Sequence, residues 1–115
     1  MAVASLVLGG CGGAATSGQP AGPVIAVTGT DGMRYNPDTI SAKAGEPVTI
    51  AFKNTGLIAH DFITTDADTN VRLINVGGGR TQNGTFQAAK PGTYQVVCNQ
   101  PGHKEAGMVA KIVVS

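Results

Sequence analysis

The sequence has little charge, few aromatic side chains and no tryptophan. Charged residues make up 13% of the 115 residues, and aromatic residues 4%. The eight Lys and Arg residues are scattered and leave a net charge of +1, so the sequence has no basic patch of the kind that neutralises nucleic-acid phosphates. We therefore expect no nucleic-acid partner. The short chain and its hydrophobic fraction of 42% indicate one globular domain with a modest core.

Cysteine and histidine are scarce as well, with two of each in the chain. Cys11 lies in a glycine-rich leader, whereas Cys98 ends a strand-like segment. A disulfide between them would tie a flexible leader to the core and would use up the best metal ligand of the domain. We expect no such disulfide.

Residues 1–23 are predicted to be an export leader and a tether. The apolar stretch from Met1 to Gly10 is shorter than the roughly 20 residues that span a bilayer. The segment Leu8 to Cys11 resembles the lipobox of bacterial lipoproteins, in which the cysteine receives a diacylglyceryl group. Residues 12–23 have the Gly, Ala, Ser and Pro content of a flexible tether. We expect an exported protein, periplasmic or on the cell surface, that is anchored to the membrane through Cys11.

The leader departs from an export signal in one respect. Such signals begin with positive charge, but no Lys or Arg precedes Arg34. Missing residues upstream of Met1 are one explanation. A leader whose Cys11 is unmodified is the alternative.

From Val24 onward, β-rich segments alternate with turn residues. In one of them Val48, Ile50 and Phe52 fall on the same face by strict alternation, and the last segment alternates in the same way. No segment beyond the leader has a sustained helical period. We predict that residues 24–115 form an all-β domain, an antiparallel Greek-key β-sandwich of seven to eight strands. The predicted strands are 24–28, 39–42, 47–54, 60–64, 71–76, 85–88, 93–98 and 107–115.

The most informative feature is a group of metal-binding residue types. The loop from Cys98 to Met108 has the pattern Cys-x4-His-x4-Met with His103 at its centre, and His60 lies far upstream. A thiolate, two imidazoles and a thioether together suit a single copper ion that must be stable both as Cu(I) and as Cu(II). These residues predict a mononuclear copper site for electron transfer.

Each of these residues also has an ordinary structural role open to it. An isolated histidine such as His60 is often a hydrogen-bonded core residue, and His103 could be an exposed loop residue. Met108 could be plain core, and a single cysteine such as Cys98 is often a buried hydrophobic residue. The metal-site interpretation rests on the order and context of all four.

Residues 24–115 resemble the cupredoxin family, in particular small bacterial members such as the auracyanins, plastocyanins and pseudoazurins. Besides the loop from Cys98 to Met108, the resemblance rests on the segments Arg34 to Pro37, Ala44 to Val48, Lys53 to Gly56, Ala59 to Phe62 and Pro91 to Tyr94.

The resemblance implies one copper ion in a largely preformed site. Cys98, His60 and His103 are then the equatorial ligands, and Met108 is a weak axial ligand. The family most often has asparagine after the first histidine, where its side chain ties the ligand loops together. Here that residue is Asp61, which accepts hydrogen bonds but lacks the amide donor.

We interpret Asp61 and Asn99 as residues that contact and support the ligands. The alternative for Asp61 is a solvated charge at the end of a strand. The resemblance also implies that His103 reaches the surface through an apolar patch where redox proteins bind across a small, transient interface. The candidate residues of this patch are Leu57, Ile58, Pro101, Ala106 and Gly107.

Electron transfer between membrane-associated redox proteins is the leading functional hypothesis, and we expect a monomer that is not an enzyme. A copper carrier or storage protein is the alternative, although such proteins favour methionine-rich or histidine-rich clusters that this sequence lacks. A copper enzyme needs further histidines for a second centre, and both histidines are already assigned. A dinuclear centre needs a second loop cysteine. A structural β-sandwich without metal is the remaining alternative.

Overall fold

A computed structural model describes residues 22–115 of the chain. The leader, Cys11 and the tether as far as residue 21 lie outside the described residues, so the lipid anchor stays a prediction. The described part forms nine strands: β1 Val24–Thr30, β2 Arg34–Asn36, β3 Thr39–Ala42, β4 Val48–Asn54, β5 His60–Thr64, β6 Arg72–Val76, β7 Thr81–Phe86, β8 Gly92–Val97 and β9 Val109–Val114. Within residues 22–115, no helix has the length and apolar character needed to cross a membrane.

The strands form two sheets, which confirms the predicted β-sandwich. One sheet has the order β2-β1-β4-β7, and the other has the order β3-β9-β8-β5-β6. Three details differ from the prediction. The strand predicted at 85–88 is β7, which begins at Thr81 and ends at Phe86. The strand β2 is only three residues long, too short for an alternating pattern to reveal it. The pairs β1 with β4 and β3 with β9 are parallel, and alternation alone does not specify strand direction.

The alternation in the sequence matches the burial of the side chains. In β4, Ile50 and Phe52 are fully buried. In β9, Ala110, Ile112 and Val114 are buried and the intervening residues are exposed. Each large apolar side chain that leaves water in this way contributes about 1.5 to 3 kcal/mol. In β9 a slip of one residue in register would turn this entire set to the exposed face, so burial fixes the register of that strand.

An aromatic cluster fills the core between the sheets. The ring of Tyr35 packs edge-on at 5.8 Å from that of Phe52 and 5.4 Å from that of Phe62. Burial raises the pKa of Tyr35, and the nearby Cys98 and Asp61 add to this shift. The phenol therefore stays protonated and donates a hydrogen bond to the backbone carbonyl of Asp61.

The backbone of β1 lies unusually close to this core at Gly29. A Cβ atom at that position would lie 2.7 Å from Cζ of Phe52 and 3.1 Å from Cε of Met108. Only glycine leaves room for both side chains. Met108 is thus packed into the core beside the aromatic cluster rather than held by its loop alone.

The sheet topology brings the predicted ligands to the same end of three strands in the second sheet, the sheet that contains β5, β8 and β9. His60 is the first residue of β5, Cys98 follows the last residue of β8, and Met108 precedes the first residue of β9. The strand β8 pairs antiparallel with both β5 and β9. The start of β5, the end of β8 and the start of β9 therefore lie at the same end of the sheet.

Candidate metal centre

Three of the predicted ligands converge at this end of the sheet. Nδ1 of His60 lies 3.2 Å from Nδ1 of His103, and Nδ1 of His103 lies 3.4 Å from Sγ of Cys98. The ligand atoms of all three residues lie within 4.8 Å of one another. The structure therefore brings together one sulfur and two imidazole nitrogens, although 43 positions separate the two histidines in the sequence.

The centre is shielded from water on most sides. His60, Cys98 and Met108 are each 0% exposed, whereas His103 is half-buried. Burial raises the pKa of the Cys98 thiol, while hydrogen bonds from the backbone N–H groups of Asp61 and Gln100 partly oppose that shift. The Asp61 N–H lies 3.3 Å from the sulfur. This donor favours the thiolate form, which is the form that binds metals. Among the described residues Cys98 is a free cysteine. Cys11 lies outside the described residues, so the expected absence of a disulfide between the two stays a prediction.

The loop between β8 and β9 closes on itself through backbone hydrogen bonds. The Met108 N–H donates to the carbonyl of His103 at 3.0 Å, and the Cys98 N–H donates to the carbonyl of Met108 at 3.4 Å. These bonds place His103 and Met108 beside Cys98. From β2, the guanidinium of Arg34 adds a hydrogen bond of 3.1 Å to the carbonyl of Ala106.

Asp61 is a buried acceptor that links three segments. It is 3% exposed, so it is not the solvated charge considered as the alternative. Its Oδ1 accepts hydrogen bonds from the backbone N–H of Asn75 at 2.8 Å and from Nε2 of Gln100 at 2.9 Å. Its Oδ2 accepts the backbone N–H of Asn99 at 3.2 Å. Asn99 takes part through its backbone, and the residue itself is exposed.

These partners explain why a carboxylate fits at this position. Every group that faces the side chain of Asp61 through these bonds is a donor. A carboxylate accepts on both oxygens, whereas an asparagine amide would point its own N–H groups at one of these donors. The departure from the family's usual asparagine therefore agrees with the surroundings of the side chain.

Two residues that position His60 were not identified from the sequence. Asn54, fully buried at the end of β4, donates to the carbonyls of Ile58 at 2.7 Å and Val76 at 2.8 Å. Asp31, in the turn after β1, has Oδ1 at 3.2 Å from Nε2 of His60. Asn54 lies in the segment Lys53 to Gly56 on which the resemblance rests, although nothing there marked the role of its side chain, and Asp31 is marked only by its place beside Gly32.

The predicted partner surface is exposed around the loops of the centre. Leu57 is 90% exposed and Ile58 43%, Pro101 and Ala106 are exposed, and Gly107 is half-buried. A contiguous apolar patch at the surface, rather than a single apolar side chain, is typical of a contact site. A partner at this surface stays a prediction.

The geometry and the donor types fit a copper ion. Two nitrogen ligands about 2 Å from one metal, at trigonal or tetrahedral angles, lie about 3.3 to 3.5 Å apart. The histidine nitrogens are separated by 3.2 Å. A thiolate with two imidazoles suits copper, and a thioether such as that of buried Met108 favours Cu(I) in particular.

Comparison with known proteins identifies the family. A family model described as a cupredoxin-like domain matches residues 1–114. The chain belongs to the cupredoxin family. It is 32% identical over 107 residues to the copper-resistant cuproprotein CopI of Rubrivivax gelatinosus, an alignment that covers 78% of this chain and 65% of CopI. This cupredoxin therefore spans slightly less than two thirds of that relative.

The solved structures of auracyanins share its fold. The reduced auracyanin of the photosynthetic bacterium Roseiflexus castenholzii is 21% identical, with a TM-score of 0.70 over 83% of this chain and 98% of the auracyanin. Auracyanin A of Chloroflexus aurantiacus, described as a "blue" copper protein, is 25% identical, with a TM-score of 0.67 over 80% of this chain and 98% of its own. The predicted likeness to the auracyanins is confirmed at the level of the fold.

The contacts of Asp61 lead to a prediction about stability. Asp61→Ala leaves buried N–H donors without an acceptor, and we expect the free energy of unfolding of the metal-free protein to fall by about 2 to 4 kcal/mol. Urea denaturation measures this change. The matched control is Asp68→Ala, an exposed aspartate in the connection between β5 and β6, which should change stability by less than about 0.5 kcal/mol. Equal effects of the two variants would contradict the role of Asp61.

Proposed function

We propose that this cupredoxin binds one copper ion through His60, Cys98, His103 and Met108 and transfers single electrons between redox proteins. The observation that supports this most directly is the buried convergence of Cys98 with both histidines, with donor atoms 3.2 and 3.4 Å apart. A bound copper ion supplies a one-electron Cu(I)/Cu(II) couple in such a set of ligands.

The protein contributes rigid placement of the ligands. His60 begins β5 and Cys98 follows β8, two strands that pair directly, and Met108 packs beside the aromatic cluster. Ligands held in this way change position little between oxidation states, which favours fast electron transfer. The Asp61 N–H stabilises negative charge on the sulfur of Cys98. The half-buried His103 offers the route between the metal and a partner at the surface.

A copper carrier is the second candidate function. CopI is described as a copper-resistant cuproprotein, and this description favours a role in copper handling. An enzymatic role has less support, because the two histidines of the chain lie in one cluster and no other histidine is available for a second copper centre.

The first test of copper binding is the colour of the protein loaded with Cu(II). We expect intense visible absorption from the bond between copper and the Cys98 thiolate, and its loss in Cys98→Ser because a hydroxyl oxygen does not replace a thiolate in that transition. The control variant Cys11→Ser should keep the colour. Intense absorption retained in Cys98→Ser would refute the assignment of the ligand.

A second test separates electron transfer from copper delivery. The loaded protein is reduced and reoxidised repeatedly in the presence of a competing Cu(I) chelator, and its absorption is followed. Because the ligands are preformed and mostly buried, we expect the absorption to return in full after each cycle. Stepwise loss of copper to the chelator during the reduced phases would instead favour the carrier function.

We also propose that the protein is exported and anchored to the membrane through a lipid on Cys11, the residue at the end of the lipobox-like segment. Two or more acyl chains give stable anchoring, whereas one is marginal. Cys11→Ser should move the protein from the membrane to the soluble fraction, while Cys98→Ser should leave it in the membrane fraction. Mass spectrometry that finds an unmodified Cys11 in the native protein would end this proposal.

A further inference from the structure

Asp31 is a carboxylate that reaches the far side of the His60 ring. Its Oδ1 lies 3.2 Å from Nε2 of His60. Its Oδ2 accepts the backbone N–H of Leu57 at 2.8 Å, and Oδ1 lies 3.3 Å from that of Ile58. The bond from Leu57 is the main cause that lowers the pKa of the Asp31 carboxyl, with smaller contributions from Ile58 and His60. The turn after β1 is therefore tied both to the segment before β5 and to the first residue of β5.

The two nitrogens of His60 have different surroundings. Nδ1 faces His103 at 3.2 Å, inside the ligand cluster, and Nε2 faces Asp31. A histidine that binds a metal through Nδ1 carries its proton on Nε2, and a buried N–H group needs an acceptor. Because His60 is 0% exposed, water cannot readily replace Asp31 in this role.

The fold leaves space for the Asp31 carboxylate at Gly56. A Cβ atom at this position would overlap the carboxylate. The N–H of Gly56 is itself held by Oδ1 of Asn54 at 2.8 Å. The turn between β4 and β5 is thus shaped, by a glycine and a buried amide, so that the carboxylate can reach His60.

We propose that Asp31 is a positioning residue for the metal centre: it holds His60 as the Nε2–H tautomer with Nδ1 directed at the metal, and its negative charge lowers the reduction potential. The inference rests on the proposed copper site. A carboxylate that accepts the second N–H of a ligand histidine fixes the ring and makes it a stronger ligand. A stronger ligand and a nearby negative charge both favour Cu(II) over Cu(I).

The test compares Asp31→Asn with the wild-type protein. The substitution removes the charge and leaves one oxygen acceptor, which can serve either the backbone N–H of Leu57 or that of Ile58 together with Nε2 of His60, because these groups bond to different oxygens of Asp31. We expect a higher reduction potential and a Cu(II) affinity about 10- to 100-fold lower, the usual effect of losing such a partner. The control variant is Asp68→Asn, which changes the net charge equally in the connection that leaves the other end of β5. Equal shifts of the potential in the two variants would overturn the proposal.

A second measurement needs no copper. Nitrogen NMR of the metal-free wild-type protein should show His60 as a single Nε2–H tautomer, and Asp31→Ala, which removes the acceptor altogether, should show a mixture of tautomers. A wild-type His60 protonated on Nδ1, or a tautomer unaffected by the variant, would overturn the positioning role. If the wild-type protein gives this NMR result but no visible colour with copper, the proposed function fails while the contact between Asp31 and His60 stands.

Discussion

The buried carboxylate of Asp61 is the interaction on which the architecture of the metal centre depends. It bonds to the backbone of Asn75 before the last residue of β6 and to Asn99 and Gln100 in the ligand loop. Its own backbone bonds to the sulfur of Cys98 and to Tyr35 in the aromatic cluster. One residue next to His60 therefore connects the ligand loop, the neighbouring strand and the core.

The two carboxylates near the centre have different physical roles. Asp61 is buried, and N–H donors surround its charge. Asp31 has 38% of its side chain exposed, so water shares in the solvation of its charge. A buried charge that lacked such donors would cost several kcal/mol. The first carboxylate organises the loop, and the second contacts the ring of His60.

The sequence predicted those features that depend on local pattern. β-rich segments between turn residues located eight of the nine described strands, and the alternation is clearest in β9, which buries one face. The Cys98 to Met108 loop was recognisable because its predicted ligands lie close together in the chain. The role of Asp31 was not predictable in the same way, because the carboxylate reaches His60 across 29 positions through the folding of two turns. The parallel pairs, such as β1 with β4, join strands that are not adjacent in sequence, and alternation carries no information on such pairing.

The separation in sequence of the ligand contacts affects how the metal enters the protein. The contact between His60 and His103 spans 43 positions, and that between Asp61 and Cys98 spans 37. Closing loops of this length costs entropy before any contact is gained, so an unfolded chain rarely holds these groups together. The complete set of donor atoms therefore exists only when β5, β8 and β9 are paired in the folded sheet. Any metal ion that binds this set also stabilises the folded domain against unfolding.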